Sequence, residues 1–194
     1  MGKPPLSLVH PEDEQRALAT LLLAFAGDPV ERWLYPEPQQ YLTEFPRFLT
    51  AFGGPAFAQR TVWQARDFAA VALWLPPGSE PDATRIVSVL TDGVSKEKHG
   101  DTFDVLEQMA AAHPRYPHWY LPWLGVDPGA QGQGLGSRLL VECLTRVDAE
   151  RLPAYLETPN PRTIAFYERH GFDVVGTAQA GACPRLTSML RKPR

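Results

Sequence analysis

Apolar and polar positions alternate at changing periods along the chain, and each change of period marks an element. "LSLVHP" (6–11) alternates by twos and stops at Pro11, which predicts a short first strand. "PEDEQRALATLLLAFAG" follows, with a proline in the first turn and three acids that favour the positive end of a helix dipole. Gly27 is a natural stop for that helix. "PVERWLYPEPQQYLTEFPRFLTAFGG" predicts two short helices broken by prolines. Its aromatic residues, Trp33, Tyr35, Tyr41, Phe45, Phe48 and Phe52, either fill the core or line a pocket, and core is the commoner fate.

"AQRTVWQA" and "FAAVALWLPP" are strand-like runs separated by "RD", which suits a tight hairpin. "PDATRIVSVLTDGVSKEKHGDTFDVLEQMAAAHP" carries two helical patterns around Gly93 to Gly100. "HWYLPWLGVD" is a buried-type strand ending in the turn signal Asp127-Pro128. In "GLGSRLLVECLTRVDAE" a helix puts Leu135, Leu139, Leu140, Cys143, Leu144 and Val147 on one face. "PAYLET" is another strand. "NPRTIAFYERHGF" is a helix with Asn160 as N-cap, Pro161 in first position and Gly171 just past the end. "FDVVGTAQA" and "RLTSMLR" close the sheet as two antiparallel strands. The order is α+β, one domain over residues 1–194, with a strand–loop–helix–strand unit in the second half.

Composition narrows the function. Hydrophobic residues make up 44% and charged residues 21%, enough for a packed core. The net charge is -3 and no basic face interleaves with aromatics, so nucleic acid is not the expected partner. No run is long and apolar enough to span a bilayer, and "MGKPPLSLVH" lacks both a signal-peptide core and the Ser or Thr at position 6 of a myristoylation motif. With two cysteines (Cys143 a core residue, Cys183 in a loop) the expectation is a reducing, cytoplasmic setting. His10, His99, His113, His118 and His170 have no ligand spacing, so no metal is expected. No G-x-S-x-G elbow or Cys/His pair points to a covalent nucleophile.

The chemistry concentrates in "VDPGAQGQGLGSRLLVECL" (126–144), where Gly132, Gly134 and Gly136 sit between a strand and a helix start. Helix N-terminal N–H groups lack internal partners, and glycines let an anion approach them without meeting a Cβ. Such a loop binds phosphate. Gly136 is followed by Ser137-Arg138, without the lysine of a Walker loop, and G-x-G-x-G is not the dinucleotide G-x-G-x-x-G. Gln131-x-x-Gly134-x-Gly136 resembles the acyl-CoA pyrophosphate loop of the GNAT N-acetyltransferase superfamily, Arg/Gln-x-x-Gly-x-Gly/Ala. "NPRTIAFYERHGF" is similar to that superfamily's Asn-x-x-Ala-x-x-x-Tyr-x-x-x-Gly-Phe, with Asn160, Tyr167, Gly171 and Phe172 in register and Thr163 in place of alanine. "FAGDPVERW", "LGVDPGAQGQGLGS", "YLETPNPRTIAFYERHGF" and "PRLTSMLRKP" look like the puromycin N-acetyltransferases and their bacterial relatives, densely from about Trp119 onward.

The resemblance implies a GNAT fold: a mixed, mostly antiparallel sheet splayed at the acyl-CoA site, with helices on both faces. It implies an acetyl-CoA-binding core over 119–172 and acceptor elements mainly over 27–118. Gln131, Gly132, Gln133, Gly134, Gly136 and Ser137 would hold the pyrophosphate, the backbone of Leu124 and Val126 the pantetheine arm, and Asn160 and Tyr167 would complete the coenzyme A site. The N–H of Val126 or its neighbour would serve the oxyanion, and Tyr167 would protonate the leaving sulfur. Many relatives carry a glutamate on the strand before the loop, which "HWYLPWLGV" lacks. Glu157 is the first candidate base, with His118 or a water chain as alternatives. Arg138, Arg162 and Arg169 either reach coenzyme A phosphates or stay solvated. The acceptor is expected to be a small-molecule primary amine, over an aromatic floor of Trp33, Tyr35, Trp74, Trp119 and Trp123, in a monomer or homodimer. Acetylation of a protein or peptide amine, and a CoA-binding regulatory module without turnover, stay open.

Overall fold

The computed structural model describes residues 6–194; what was expected of residues 1–5 lies outside them. Strands β1 (Leu6–Leu8), β2 (Val62–Ala65), β3 (Ala70–Leu75) and β4 (Trp119–Val126) pair antiparallel in that order. β5 (Ala154–Thr158) lies parallel to β4, and β7 (Leu186–Arg191) separates it from the edge strand β6 (Asp173–Ala178). Seven strands in the order β1-β2-β3-β4-β5-β7-β6 thus form one mixed sheet.

The sheet parts between its fourth and fifth strands. β4 and β5 pair only at Trp119↔Ala154 and Tyr120↔Tyr155. The local cause lies in β4. Leu73↔Trp123 is followed by Leu75↔Tyr120, so three steps on β4 face two on β3. The extra residue falls at Leu121–Pro122, and a bulge bends and twists its strand. Pro122 also has no N–H to offer a neighbouring strand. β4 therefore stays bonded to β3 and leaves β5 open.

β3 is buried along its whole length because both faces of the sheet are covered. Val71, Leu73 and Leu75 face one core with α1 (Glu14–Ala24), α3 (Pro38–Gly53) and α5 (Ala83–Gly93). Ala70, Ala72 and Trp74 face the other, beneath α7 (Leu135–Ala149) and α8 (Pro161–Arg169). The six residues assigned to the inner face of α7 are all buried. The short helices α2 (Pro29–Leu34) and α4 (Pro55–Ala58) flank α3, and α6 (His99–Ala112) lies against the β6 end of the sheet. No helix among the described residues is long and apolar enough to cross a membrane.

One segment departs from the prediction. "PVERWLYPEPQQYLTEFPRFLTAFGG" forms the six-residue α2 and then a single sixteen-residue α3, with Pro46 in its interior. Proline removes a helical hydrogen bond, but the aromatic face of α3 continues past it. Tyr41 and Phe45 stack at 5.0 Å, and Phe45 and Phe48 both meet Trp123 edge-on. That packing carries the helix through the break.

Candidate active site

The glycine loop begins where β4 ends. Asp127 accepts a hydrogen bond from Gly129 N at 2.7 Å, which turns the chain away from the sheet. Gly132 and Gly134 have φ of 75° and 74°, and Gly134 caps α7 in the left-handed region. A Cβ built at either would meet nothing within 4 Å. Both glycines therefore serve backbone shape and open access rather than tight packing. Gly136 differs, since its Cβ would stand 3.2 Å from Val126 Cγ2, so a bare backbone lets α7 approach β4. The result is an open cradle at the N-terminus of a fifteen-residue helix, with the partial positive charge that suits a pyrophosphate.

Side chains around the cradle are tied to other groups. Gln131 Nε2 donates to Val126 O at 3.2 Å. Gln133 accepts from Arg66 and lies outside the cavity described below. Ser137 Oγ is 2.7 Å from His170 Nε2, and His170 Nδ1 is 2.7 Å from Phe166 O. The carbonyl only accepts, so Nδ1 carries the proton and Nε2 accepts from Ser137. Asn160 Oδ1 accepts from Arg162 N at 3.0 Å, as an N-cap does.

The open edge of β4 presents backbone groups in an order that can be worked out. Asp127 N donates to Ala69 O at 2.9 Å, toward β3, while Val126 O accepts from Gln131 on the opposite side. Alternation along an antiparallel strand then turns the N–H and C=O of Leu124 and Val126 toward the gap. An extended chain laid there would find donors and acceptors at strand spacing.

Across the gap stand the two residues proposed for proton transfer. Glu157 is half-buried near the end of β5, and its Oε2 is enclosed without a hydrogen-bond partner among the described residues. Burial raises its pKa to about 7, against the pull of the Tyr120 and Tyr155 hydroxyls beside it. Tyr167 on α8 is 8% exposed, and burial alone lifts its phenol above the ordinary value. Tyr167 lines the same cavity. A phenol raised this way holds its proton at neutral pH. It is therefore a hydrogen-bond donor there.

One cavity of about 860 Å³ joins these groups. Leu124, Val126, Gln131, Gly132, Gly134, Gly136, Ser137, Glu157, Asn160 and Tyr167 all line it, whereas Gln133, the other residue assigned to the pyrophosphate from sequence, does not. Arg162 and Arg169 reach it, and Arg138 does not. From Glu157 the cavity continues between α2, α3 and α6. Of the aromatic floor proposed from sequence, Trp33 and Trp123 are on the lining. Tyr35 and Trp74 are wholly buried, and Trp119 instead donates to Glu150 at 2.8 Å. His118 is bonded to His113 Nε2 at 2.9 Å and is off the lining. Sequence reasoning missed Tyr120 and Tyr155 beside Glu157, and Asp28, Glu31 and Thr102 on the acceptor side. Only Asp28 carried a readable signal, as the acid before a first-turn proline.

Known proteins match this arrangement. A model of the acetyltransferase (GNAT) family matches residues 96–172. An uncharacterized N-acetyltransferase of Schizosaccharomyces pombe is 29% identical over 182 residues, covering 84% of this chain and 72% of the other. The mycothiol acetyltransferase of Beutenbergia cavernae is 47% identical over 62 residues, which is 30% of this chain and 21% of that enzyme's length. Among solved structures, a histone acetyltransferase HPA2 and related acetyltransferase from Corynebacterium glutamicum superposes with a TM-score of 0.70 at 24% identity, covering 100% of this chain and 98% of that one. The polyamine N-acetyltransferase of Drosophila melanogaster gives 0.71 at 16% identity, over 97% and 99% of the two chains. With its parted sheet and its glycine cradle the chain has the GNAT fold, and over residues 96–172, the stretch that carries β4, the cradle, α7 and α8, it is similar to the GNAT acetyltransferases, acyltransferases that use acetyl-CoA.

Proposed function

We propose that the protein transfers the acetyl group of acetyl-CoA to a small-molecule primary amine, by direct attack of the amine on the thioester. One observation carries this reading. The carboxyl of Glu157 and the phenol of Tyr167 line a single cavity that has the glycine cradle at one end and apolar walls of α2, α3 and α6 at the other. The N–H groups of residues 132–137 hold the pyrophosphate, and the Leu124 and Val126 backbone holds the pantetheine arm as an added strand. Glu157, ionised above pH 7, takes a proton from the acceptor ammonium. The free amine adds to the thioester carbonyl, and the N–H of Val126 steadies the oxyanion. As the carbon–sulfur bond breaks, Tyr167 hydrogen-bonds the sulfur and protonates it. The tyrosinate is then reprotonated from the acetylated nitrogen's surplus proton or from solvent.

The likeness to puromycin N-acetyltransferases in "FAGDPVERW" and "PRLTSMLRKP" supports a small-molecule acceptor, as does the polyamine enzyme among the structural neighbours. The histone-related neighbour points to peptide amines. The deciding experiment measures release of coenzyme A thiol with a panel of small primary amines beside lysine-containing and N-terminal peptides. Turnover with small amines is the expected outcome. Turnover with peptides alone would move the acceptor assignment to protein.

A further inference from the structure

The acceptor end of the cavity contains polar groups that the acetyl-transfer chemistry does not use. Glu31 on α2 is 4% exposed and lines the cavity, and its Oε2 has no hydrogen-bond partner among the described residues. Thr102 on α6, a different element, is 5% exposed and lines the same cavity, and its Oγ1 also has no partner among those residues. Asp28 adds a third polar side chain to the lining, with Oδ1 spent on the N–H groups of Val30 and Glu31. Around them the walls are apolar: Trp33, Val105, Leu106, Met109 and Leu186.

Among the described residues no lysine lines the cavity, and the two arginines that do, Arg162 and Arg169, belong to α8 beside the coenzyme A cradle. The nearest lysine to α2 in the hydrogen-bond network, Lys98, donates to the Trp33 carbonyl at 2.5 Å and is not on the lining. A buried carboxylate without a counter-charge is costly, and an unfilled buried hydroxyl adds to that cost. Desolvation, with Asp28 close by, holds Glu31 well above the ordinary carboxyl range. A bound cation would remove the penalty, and a threonine hydroxyl on the same cavity lining can accept from an ammonium as well.

We infer that Glu31 and Thr102 form a second cation subsite, which holds a protonated amine of the acceptor remote from the amine that is acetylated at Glu157. The acceptor class is then an α,ω-diamine, or a related dication with an apolar spacer that lies along Trp33, Leu106 and Met109. This inference rests on the small-amine reading above and sharpens it.

The test compares α,ω-diamines of increasing length with n-alkylamines of matched carbon count. The readouts are kcat/KM by thiol release and calorimetric binding of the diamine in the presence of coenzyme A. A diamine preference of at least tenfold is expected, about 1.4 kcal/mol. Glu31→Gln and Thr102→Val, each checked for folding by circular dichroism, should each reduce that preference, the glutamate variant by at least tenfold. Equal use of diamines and monoamines, or a preference unchanged in both variants, overturns the subsite and leaves the acetyltransferase reading standing. No turnover with any small amine, together with diamine binding that Glu31→Gln abolishes, sinks the small-amine acetylation and upholds the subsite. Absence of both turnover and binding overturns the two together.

Discussion

At Glu157 two influences compete. Enclosure raises the carboxyl pKa, and the Tyr120 and Tyr155 hydroxyls lower it, leaving a value of about 7. A general base works only when ionised, so kcat/KM should climb with pH through about 7 and level off above it. Glu157→Gln should lower kcat/KM and erase that rise; a variant with wild-type rate and profile would pass the role to water or to another group. Stability gives a separate check. A carboxyl whose folded pKa lies above its unfolded value of 4.5 weakens the fold as pH rises from 4.5 to about 7, and the cost is complete above that. Urea denaturation should therefore find Glu157→Gln gaining on the wild type at pH 8 but not at pH 4. Tyr167 asks for a different measurement. In the proposed mechanism its phenol matters when sulfur leaves, so Tyr167→Phe should cost kcat on the order of 10²-fold. The affinity for acetyl-CoA should move by less than about 1 kcal/mol, since at most one hydrogen bond is lost. Collapsed affinity with intact turnover would instead make Tyr167 a cofactor-binding residue.

The element that matters most is the β4–loop–α7 unit. Its glycines do separate jobs, and substitutions separate them. At Gly134 a side chain has room but the wrong backbone angle, φ 74°. Gly134→Val should cost about 1–2 kcal/mol of stability in strain and put methyls where the proposed site takes the pyrophosphate. Calorimetry should show coenzyme A affinity reduced at least tenfold, about 1.4 kcal/mol; unchanged affinity in a folded variant would remove the loop from the site. Gly125 is the opposite case. A Cβ there would sit 2.8 Å from Ala24 Cβ and 2.8 Å from Leu21 Cδ2, both on α1. Gly125→Ala should destabilise by about 1–3 kcal/mol through overpacking, read as a lower urea midpoint. Unchanged stability would mean that α1 can move off β4 freely.

On the scale of the whole molecule, the last strand is tied back to α7. Arg191, with its side chain 4% exposed, makes a two-pronged pair with Asp148 at 2.6 and 2.7 Å and donates to His170 O at 3.1 Å. Hydrogen bonds from Arg191 hold the Asp148 carboxyl below its ordinary value of 3.8. Its folded pKa is depressed, so the stabilisation is present above pH 3.8 and is lost only as pH falls below it. Asp148→Asn leaves a buried guanidinium without its counter-charge and should cost about 2–4 kcal/mol at pH 7. Denaturation at pH 7 and in strong acid should show that gap and then its closing; a gap independent of pH would assign the loss to packing. Because His170 also accepts from Ser137, this tie runs from the chain's end to the first turn of α7.

The sequence by itself determined much of this protein. Period and punctuation placed α7 and its six inward residues, the cap at Asn160, and the glycine loop between a strand and a helix. These are short-range matters, decided by which neighbours three or four residues apart share a face and by which residues accept unusual backbone angles. Spacing alone also separated the loop from other phosphate loops. Pro46 escaped, because the aromatic contacts that hold α3 together across it come from Trp123 on β4 and from Phe25 just past α1, distant in the chain. The parting of β4 from β5 has a local agent, the bulge at Leu121–Pro122, yet it becomes a site only because β5 arrives parallel on the other side. The surroundings of Glu157, Glu31 and Thr102 were beyond sequence reasoning for the same reason. An isolated acid or hydroxyl in a chain reads as surface, and only the tertiary fold shows which ones are enclosed, left unpaired and turned into a common cavity.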